Sequence, residues 1–193
     1  LRRFGALIQL LARSAWVQHI RSNPRNAPTV GGATDLELFL FGGARVDLST
    51  ARSALQDMQE NRCFYCGSAM KQDPHVDHFI PWSRYPRDLA QNFVLAHGAC
   101  NLDKGDMLTA PAHLAHWVKR NRELGADLAA RLSPAGFLDD QPAALQVARW
   151  AYGQAEATSA QLWVSLKYTV NADRRCMEIL GAPGGSSVRT LER

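Results

Sequence analysis

The chain has 193 residues, enough for one good core and a small further lobe. Hydrophobic side chains make up 46% and charged ones 21%, an ordinary globular balance that excludes a low-complexity or fibrous chain. No apolar run reaches membrane-spanning length, and a net charge of +4 is too mild alone to argue for nucleic acid.

The charge is uneven. Residues 1–62 carry eight basic and five acidic side chains, and residues 123–193 carry seven and eight. A nucleic-acid surface is therefore expected on the N-terminal half and the centre.

Residues 1–22 read as an amphipathic helix, with Leu1, Phe4, Leu7, Ile8, Leu11, Ala15 and Ile20 near one face. Gln9, Arg13, Gln18 and His19 interrupt it, and no small-residue cleavage site follows, so a signal peptide is not expected. Asn23-Pro24 ends the helix, and residues 23–34 form a loop rich in Pro, Gly and Asn. Asp35–Phe41 is a short apolar segment of open type, broken by Gly42-Gly43. Ser49 or Thr50 is expected to cap a helix to about Glu60, with Ala51, Leu55 and Met58 inward.

Strands are expected at His75–Ile80 and Phe93–Ala96, and a short helix near Cys100. Pro111 can start a long helix to about Leu132, and a further helix covers roughly Gln141–Ala157. A third is expected over Ala160–Thr169, and the Gly-rich stretch from Gly181 reads as a tail. The fold class is α+β, mostly helical. Its expected divisions are 1–62 helical, 63–107 the central motif, 108–180 helices packing on it, and 181–193 the tail.

Four cysteines are present, and without a secretion signal a reducing, cytoplasmic setting is expected. Three fall into a metal pattern. Cys63-Phe64-Tyr65-Cys66 is a Cys-x2-Cys knuckle followed by Gly67, and His97-Gly98-Ala99-Cys100 repeats the spacing with His in first place. Cys63, Cys66, His97 and Cys100 make a Cys3His set suited to a closed, tetrahedral structural Zn2+. Thirty residues separate the knuckles, more than a zinc ribbon needs.

The insert reads His75-Val76-Asp77-His78-Phe79-Ile80-Pro81, then Asn92-Phe93-Val94-Leu95-Ala96, then Cys100-Asn101-Leu102-Asp103-Lys104-Gly105. These pieces resemble the HNH nuclease family, closest to bacterial HNH proteins of the zinc-knuckle form. The resemblance covers about residues 63–107 and implies a ββα-metal core with a structural zinc knuckle, set in the helical scaffold. It implies that Asp77 and Asn101 bind a catalytic divalent metal, that His78 activates water, and that Asn92 fixes the loop or the His78 ring. Asn101 stands where the family name puts its final His, which leaves the preferred metal open.

Residue chemistry agrees independently. Imidazole titrates near neutral pH, which suits His78 as general base. Carboxylate and amide oxygens suit Mg2+ or Mn2+. Asp77 and His78 are adjacent, so a regular strand sends them to opposite faces, and a bulge or twist is expected to bring them to one site. Lys104, on the same short helix as Asn101, is expected near the same phosphate. Arg84 and Arg87, in the loop between the strands, can contact backbone phosphates. His75 reads as an exposed strand residue, and Trp82 and Tyr85 as packing against the zinc lobe. Trp16, Trp117, Trp150 and Trp163 read as helix packing.

The expected function is a metal-dependent endonuclease acting on DNA, with RNA not excluded. The alternatives are a zinc-stabilised nucleic-acid-binding module without catalysis, or the nuclease part of a larger defence or mobile-element assembly. No membrane partner is expected.

Overall fold

The computed structural model describes residues 5–26, 48–71 and 74–181. The expected apolar segment Asp35–Phe41, the break at Gly42-Gly43 and the tail beyond Gly181 lie outside them. In chain order the elements are α1 (Gly5–Ser22), α2 (Ser49–Met58), β1 (His75–His78), β2 (Phe93–Ala96), α3 (Gly98–Lys104) and α4 (Pro111–Leu132). Then follow α5 (Gln141–Ala157), β3 (Gln161–Ser165), β4 (Tyr168–Asn171) and α6 (Arg175–Leu180).

Proline marks two of these starts. Pro111 and Pro142 lie in the first turns of α4 and α5, where a missing N–H costs nothing. Asp140 caps α5 by accepting from the Ala143 N–H at 2.9 Å. Helix α2 differs from expectation at its start. Leu48 is its N-cap and no side chain bonds there, so Ser49 is the first helical residue and does not act as a cap.

β1 and β2 form an antiparallel hairpin in continuous register, His75 opposite Ala96 and His78 opposite Phe93. No bulge interrupts it. The outer edge of β2 is covered, because Gln59 treats Leu95 as a strand would. Its Nε2 donates to the Leu95 carbonyl at 2.9 Å and its Oε1 accepts from the Leu95 N–H at 2.8 Å. The other edge of the hairpin, along β1, faces α3 and a cleft.

Helix α4 lies under the hairpin. Leu114, Trp117, Asn121, Leu128 and Leu132 form its buried face. Trp117 stacks on Phe79 with centroids 4.9 Å apart, and its indole N–H donates to the Gln91 carbonyl at 3.0 Å. That carbonyl also accepts from Asn121 at 3.1 Å and from Arg120 at 2.7 Å. Three donors from one helix thus fix the backbone where the loop enters β2.

The expected helix over Ala160–Thr169 is a hairpin instead, with β3 and β4 paired antiparallel. Trp, Val, Tyr and Thr dominate its sequence, residue types that suit a half-buried pleated surface. Lys167 makes the turn at φ +59°, without the Gly or Asn that normally announces one. Trp163 accordingly packs from a strand, and Trp16 is exposed. The short α6, unexpected from sequence, buries Cys176 and Leu180. Among the described residues no helix is long and apolar enough to cross a membrane.

Candidate metal centre and catalytic cleft

Cys63, Cys66, His97 and Cys100 converge, with all four ligand atoms within 4.8 Å of one another. The first knuckle is closed by backbone bonds, Gly67 N–H to the Cys63 carbonyl at 2.9 Å and Cys63 N–H to the Ser68 carbonyl at 3.0 Å. The turn needs φ +69° at position 67, which glycine adopts without strain. The second knuckle sits where β2 runs into α3, so His97 and Cys100 straddle the helix start.

The donor chemistry fits zinc. The Nδ1 atom of His97 lies 3.3 Å from the Cys66 Sγ, on the thiol side. Its Nε2 lies 3.3 Å from the Ala69 carbonyl, an outer bond that orients the ring and puts the proton on the nitrogen facing away. The thiols resist joint ionisation without a cation. Burial and then the neighbouring Cys63 and Cys66 push the Cys100 thiol up to about 12. Burial also raises Cys66, but the Ser68 backbone and side-chain bonds from Cys63, Ser68 and His97 outweigh it and bring that thiol down to about 7.

Beside the Cys3His cluster, a cleft of about 300 Å3 is lined by Asp77, His78, Trp82 and Asn101, with Leu48 and Asp106 among its other walls. Asp77 and His78 reach it without the expected bulge. β1 is an edge strand, and a cleft along an edge can take side chains from both faces of the strand.

His78 is held on three sides. Its Nε2 lies 2.8 Å from Oδ1 of Asp88. Its ring meets Trp82 and Phe93 edge-on, at 5.1 and 5.0 Å. A carboxylate there accepts, which places the proton on Nε2 and leaves Nδ1 as the lone-pair nitrogen. Asp88 is itself pinned, since the Leu138 N–H donates to its carbonyl at 3.2 Å.

Asn92 fixes the loop and not the ring. Its Oδ1 accepts from the Ile80 N–H at 2.8 Å, and its Nδ2 donates to the Ile80 carbonyl at 2.9 Å. Its own carbonyl accepts from the Phe79 N–H at 2.8 Å. The chain just after His78 is thereby locked onto the start of β2.

Asp77 is 8% exposed. Its Oδ2 accepts from the Tyr65 hydroxyl at 2.5 Å and lies 3.0 Å from Lys104 Nζ. Burial, and then the Asp77 charge, push the Tyr65 hydroxyl far above its ordinary value, which keeps it a donor. Asn101 is half-buried, with its amide 3.4 Å from the His75 Nδ1. His75 is half-buried too and lies against Gly98, where a Cβ would come within 3.2 Å of the ring.

Lys104 departs from expectation. It is 0% exposed, and its ammonium donates to the His78 carbonyl at 3.1 Å besides pairing with Asp77. A phosphate contact is therefore ruled out for it in this conformation. The reason lies in helix spacing, for Lys104 follows Cys100 by four residues and shares its inward face. Arg84 and Arg87 are half-buried in the loop, and Tyr85 is buried beneath them. Trp82 packs on His78 and lines the cleft, which differs from the expected packing on the zinc lobe.

Sequence reasoning missed Asp88 and Tyr65 as parts of the site. Asp88 is one acid in a charged loop, and Tyr65 reads as knuckle packing. Neither carries a signal that spacing alone could raise above its neighbours.

A two-stranded hairpin, a short helix and a Cys3His cluster together form a ββα-metal core. Residues 63–107 match the model of the HNH endonuclease family. The match runs from the first knuckle to the end of α3 and leaves the flanking helices outside it. No curated protein and no solved structure matches the chain.

Proposed function

We propose that the protein is a metal-dependent endonuclease that hydrolyses phosphodiester bonds in DNA, with His78 as general base. The observation that carries this reading is the pairing of the His78 Nε2 with Asp88, which leaves Nδ1 as the ring's basic nitrogen in a cleft shared with Asp77 and Asn101. A base held in one orientation and one tautomer can take a proton from water as it attacks phosphorus. Asp77 and Asn101 offer a carboxylate and an amide oxygen, which suits Mg2+ or Mn2+. Such a cation supplies positive charge to the scissile phosphate and its leaving oxygen. Asn92 holds the His78 segment in register. Arg84 and Arg87 are the nearby cations for flanking phosphates. The Cys3His cluster holds a structural zinc that carries no step of the reaction.

The test is plasmid DNA and a matched RNA, each incubated with the protein and Mg2+, Mn2+, Ni2+ or Zn2+, beside His78→Ala. Metal-dependent nicking that disappears in His78→Ala is the expected outcome. DNA binding with no nicking under any metal would instead make the protein a binding module.

A further inference from the structure

Two donors converge on one oxygen of Asp77, and each comes from a different arm of the zinc cluster. Tyr65 lies between Cys63 and Cys66, and its hydroxyl reaches Oδ2 at 2.5 Å. Lys104 follows Cys100 by four residues on α3, and its ammonium reaches the same oxygen at 3.0 Å. Neither donor has freedom to wander. The Tyr65 ring is boxed by Phe64 at 5.4 Å, Trp163 at 5.1 Å and His113 at 5.4 Å. Lys104 is fully buried and also holds the His78 carbonyl at 3.1 Å. Among the described residues, no hydrogen bond reaches the other oxygen, Oδ1.

We infer that Tyr65 and Lys104 are positioning residues that turn Oδ1 of Asp77 toward a divalent cation in the cleft, so that the zinc knuckles set the cation affinity of the neighbouring site. The inference rests on the reading of Asp77 as a ligand. Its logic is geometric. A carboxylate free to rotate offers either oxygen in many orientations, whereas one pinned through Oδ2 offers Oδ1 in one. The pins are carried by the residues between and just beyond the zinc ligands. Loosening the knuckles therefore releases Asp77 while β1 itself stays paired to β2. Lys104 adds a second effect, since its charge already balances that of Asp77. The cation then gains little from charge alone and depends on orientation.

The test is Mn2+ binding to the zinc-loaded full chain, read from free Mn2+ by electron paramagnetic resonance. Asp77→Asn defines loss of the site. Tyr65→Phe removes one donor and keeps the ring, and Tyr152→Phe is a control, because its hydroxyl bonds Thr109 and not Asp77. Tyr65→Phe is expected to keep one zinc and to bind Mn2+ about tenfold more weakly, the low end for an outer-shell partner. Tyr152→Phe is expected to lose stability and leave Mn2+ binding unchanged. Chelating zinc from the wild-type chain is expected to weaken Mn2+ binding at least as much as Tyr65→Phe does. Equal Mn2+ affinity in Tyr65→Phe and wild type would overturn the inference, as would a wild-type chain that takes up no Mn2+. Mn2+ binding that depends on Tyr65 in a chain that cuts nothing would overturn the nuclease reading and leave the positioning intact.

Discussion

His78 and Asp88 form a close pair, Nε2 to Oδ1 at 2.8 Å, although the two residues lie ten positions apart on either side of a loop. The ring also leans on Trp82 and Phe93, so three contacts hold one imidazole. Asp88→Ala removes the only one of the three that selects a tautomer. Single-turnover cleavage by this variant is expected to fall about ten- to a hundred-fold, the range for a partner that orients a functional His. Asp88→Asn keeps an oxygen acceptor for Nε2 and is expected to fall less. Both should retain one zinc. An unchanged rate in Asp88→Ala would mean that the aromatic contacts alone position His78.

Asn92 makes a stability prediction that needs no assay of activity. It is 2% exposed and bonds both the N–H and the carbonyl of Ile80, itself 1% exposed. Asn92→Ala strands both groups away from water. Each buried group left without a partner costs roughly 1–3 kcal/mol, so a loss of about 2–4 kcal/mol is expected in urea denaturation. Asn92→Asp sets a carboxylate oxygen against the Ile80 carbonyl in a buried site and should cost at least as much. A loss under about 1 kcal/mol would show that the loop relaxes to rebond.

Much of this site is legible in the sequence because its parts depend on residue type. Two knuckles of the right chemistry predict one cluster wherever the chain carries them. Pro111 and Pro142 announce their helices locally. The His75–His78 and Phe93–Ala96 strands are short apolar or alternating runs bounded by Pro and Gly. What fails to show is whatever depends on a partner distant in the chain. Lys104 reads as a surface cation because lysine is rarely buried, and only Asp77 and the His78 carbonyl make its burial possible. The β3–β4 hairpin reads as a helix because Leu162, Trp163, Val164, Leu166 and Tyr168 suit either periodicity, and its Lys167 turn lacks a glycine.

Removing zinc should act locally. Burial and two neighbouring thiols oppose ionisation of the Cys100 thiol, so it becomes a thiolate only where a cation compensates the charge. Structural zinc supplies on the order of 10 kcal/mol in small sites. Chelation is therefore expected to raise hydrogen exchange across residues 63–107. Helix α4 should keep most of its protection in its C-terminal half, where Leu128 and Leu132 are buried. Elemental analysis should find about one zinc per chain, and Cys66→Ser should lower that content. Metal content near zero in protein prepared without chelator would remove the cluster's assigned role.

Asp103 provides a pH-dependent clamp between α3 and the second hairpin. Its Oδ2 accepts from the Trp163 indole at 2.7 Å and from the Lys167 N–H at 2.9 Å. The Trp163 bond, then the Lys167 backbone bond, hold its carboxyl below the usual carboxylate range. A carboxyl depressed in the folded state stabilises at any pH above its unfolded value. That contribution is lost as pH falls through the folded value, because a proton then occupies the acceptor in both states. Asp173, lowered by Arg175, loses its contribution in the same acid window, so the wild-type curve alone does not isolate Asp103. The difference between wild type and Asp103→Asn does. That difference in melting temperature is expected to be largest near neutral pH and to shrink steadily below about pH 4. A carbon-detected titration of the Asp103 carboxyl should show a midpoint below that of an ordinary aspartate. A midpoint at or above the ordinary value would mean that the indole and backbone donors turn away in solution, and that β3 is held through its backbone bonds to Leu108 and Ala110 instead.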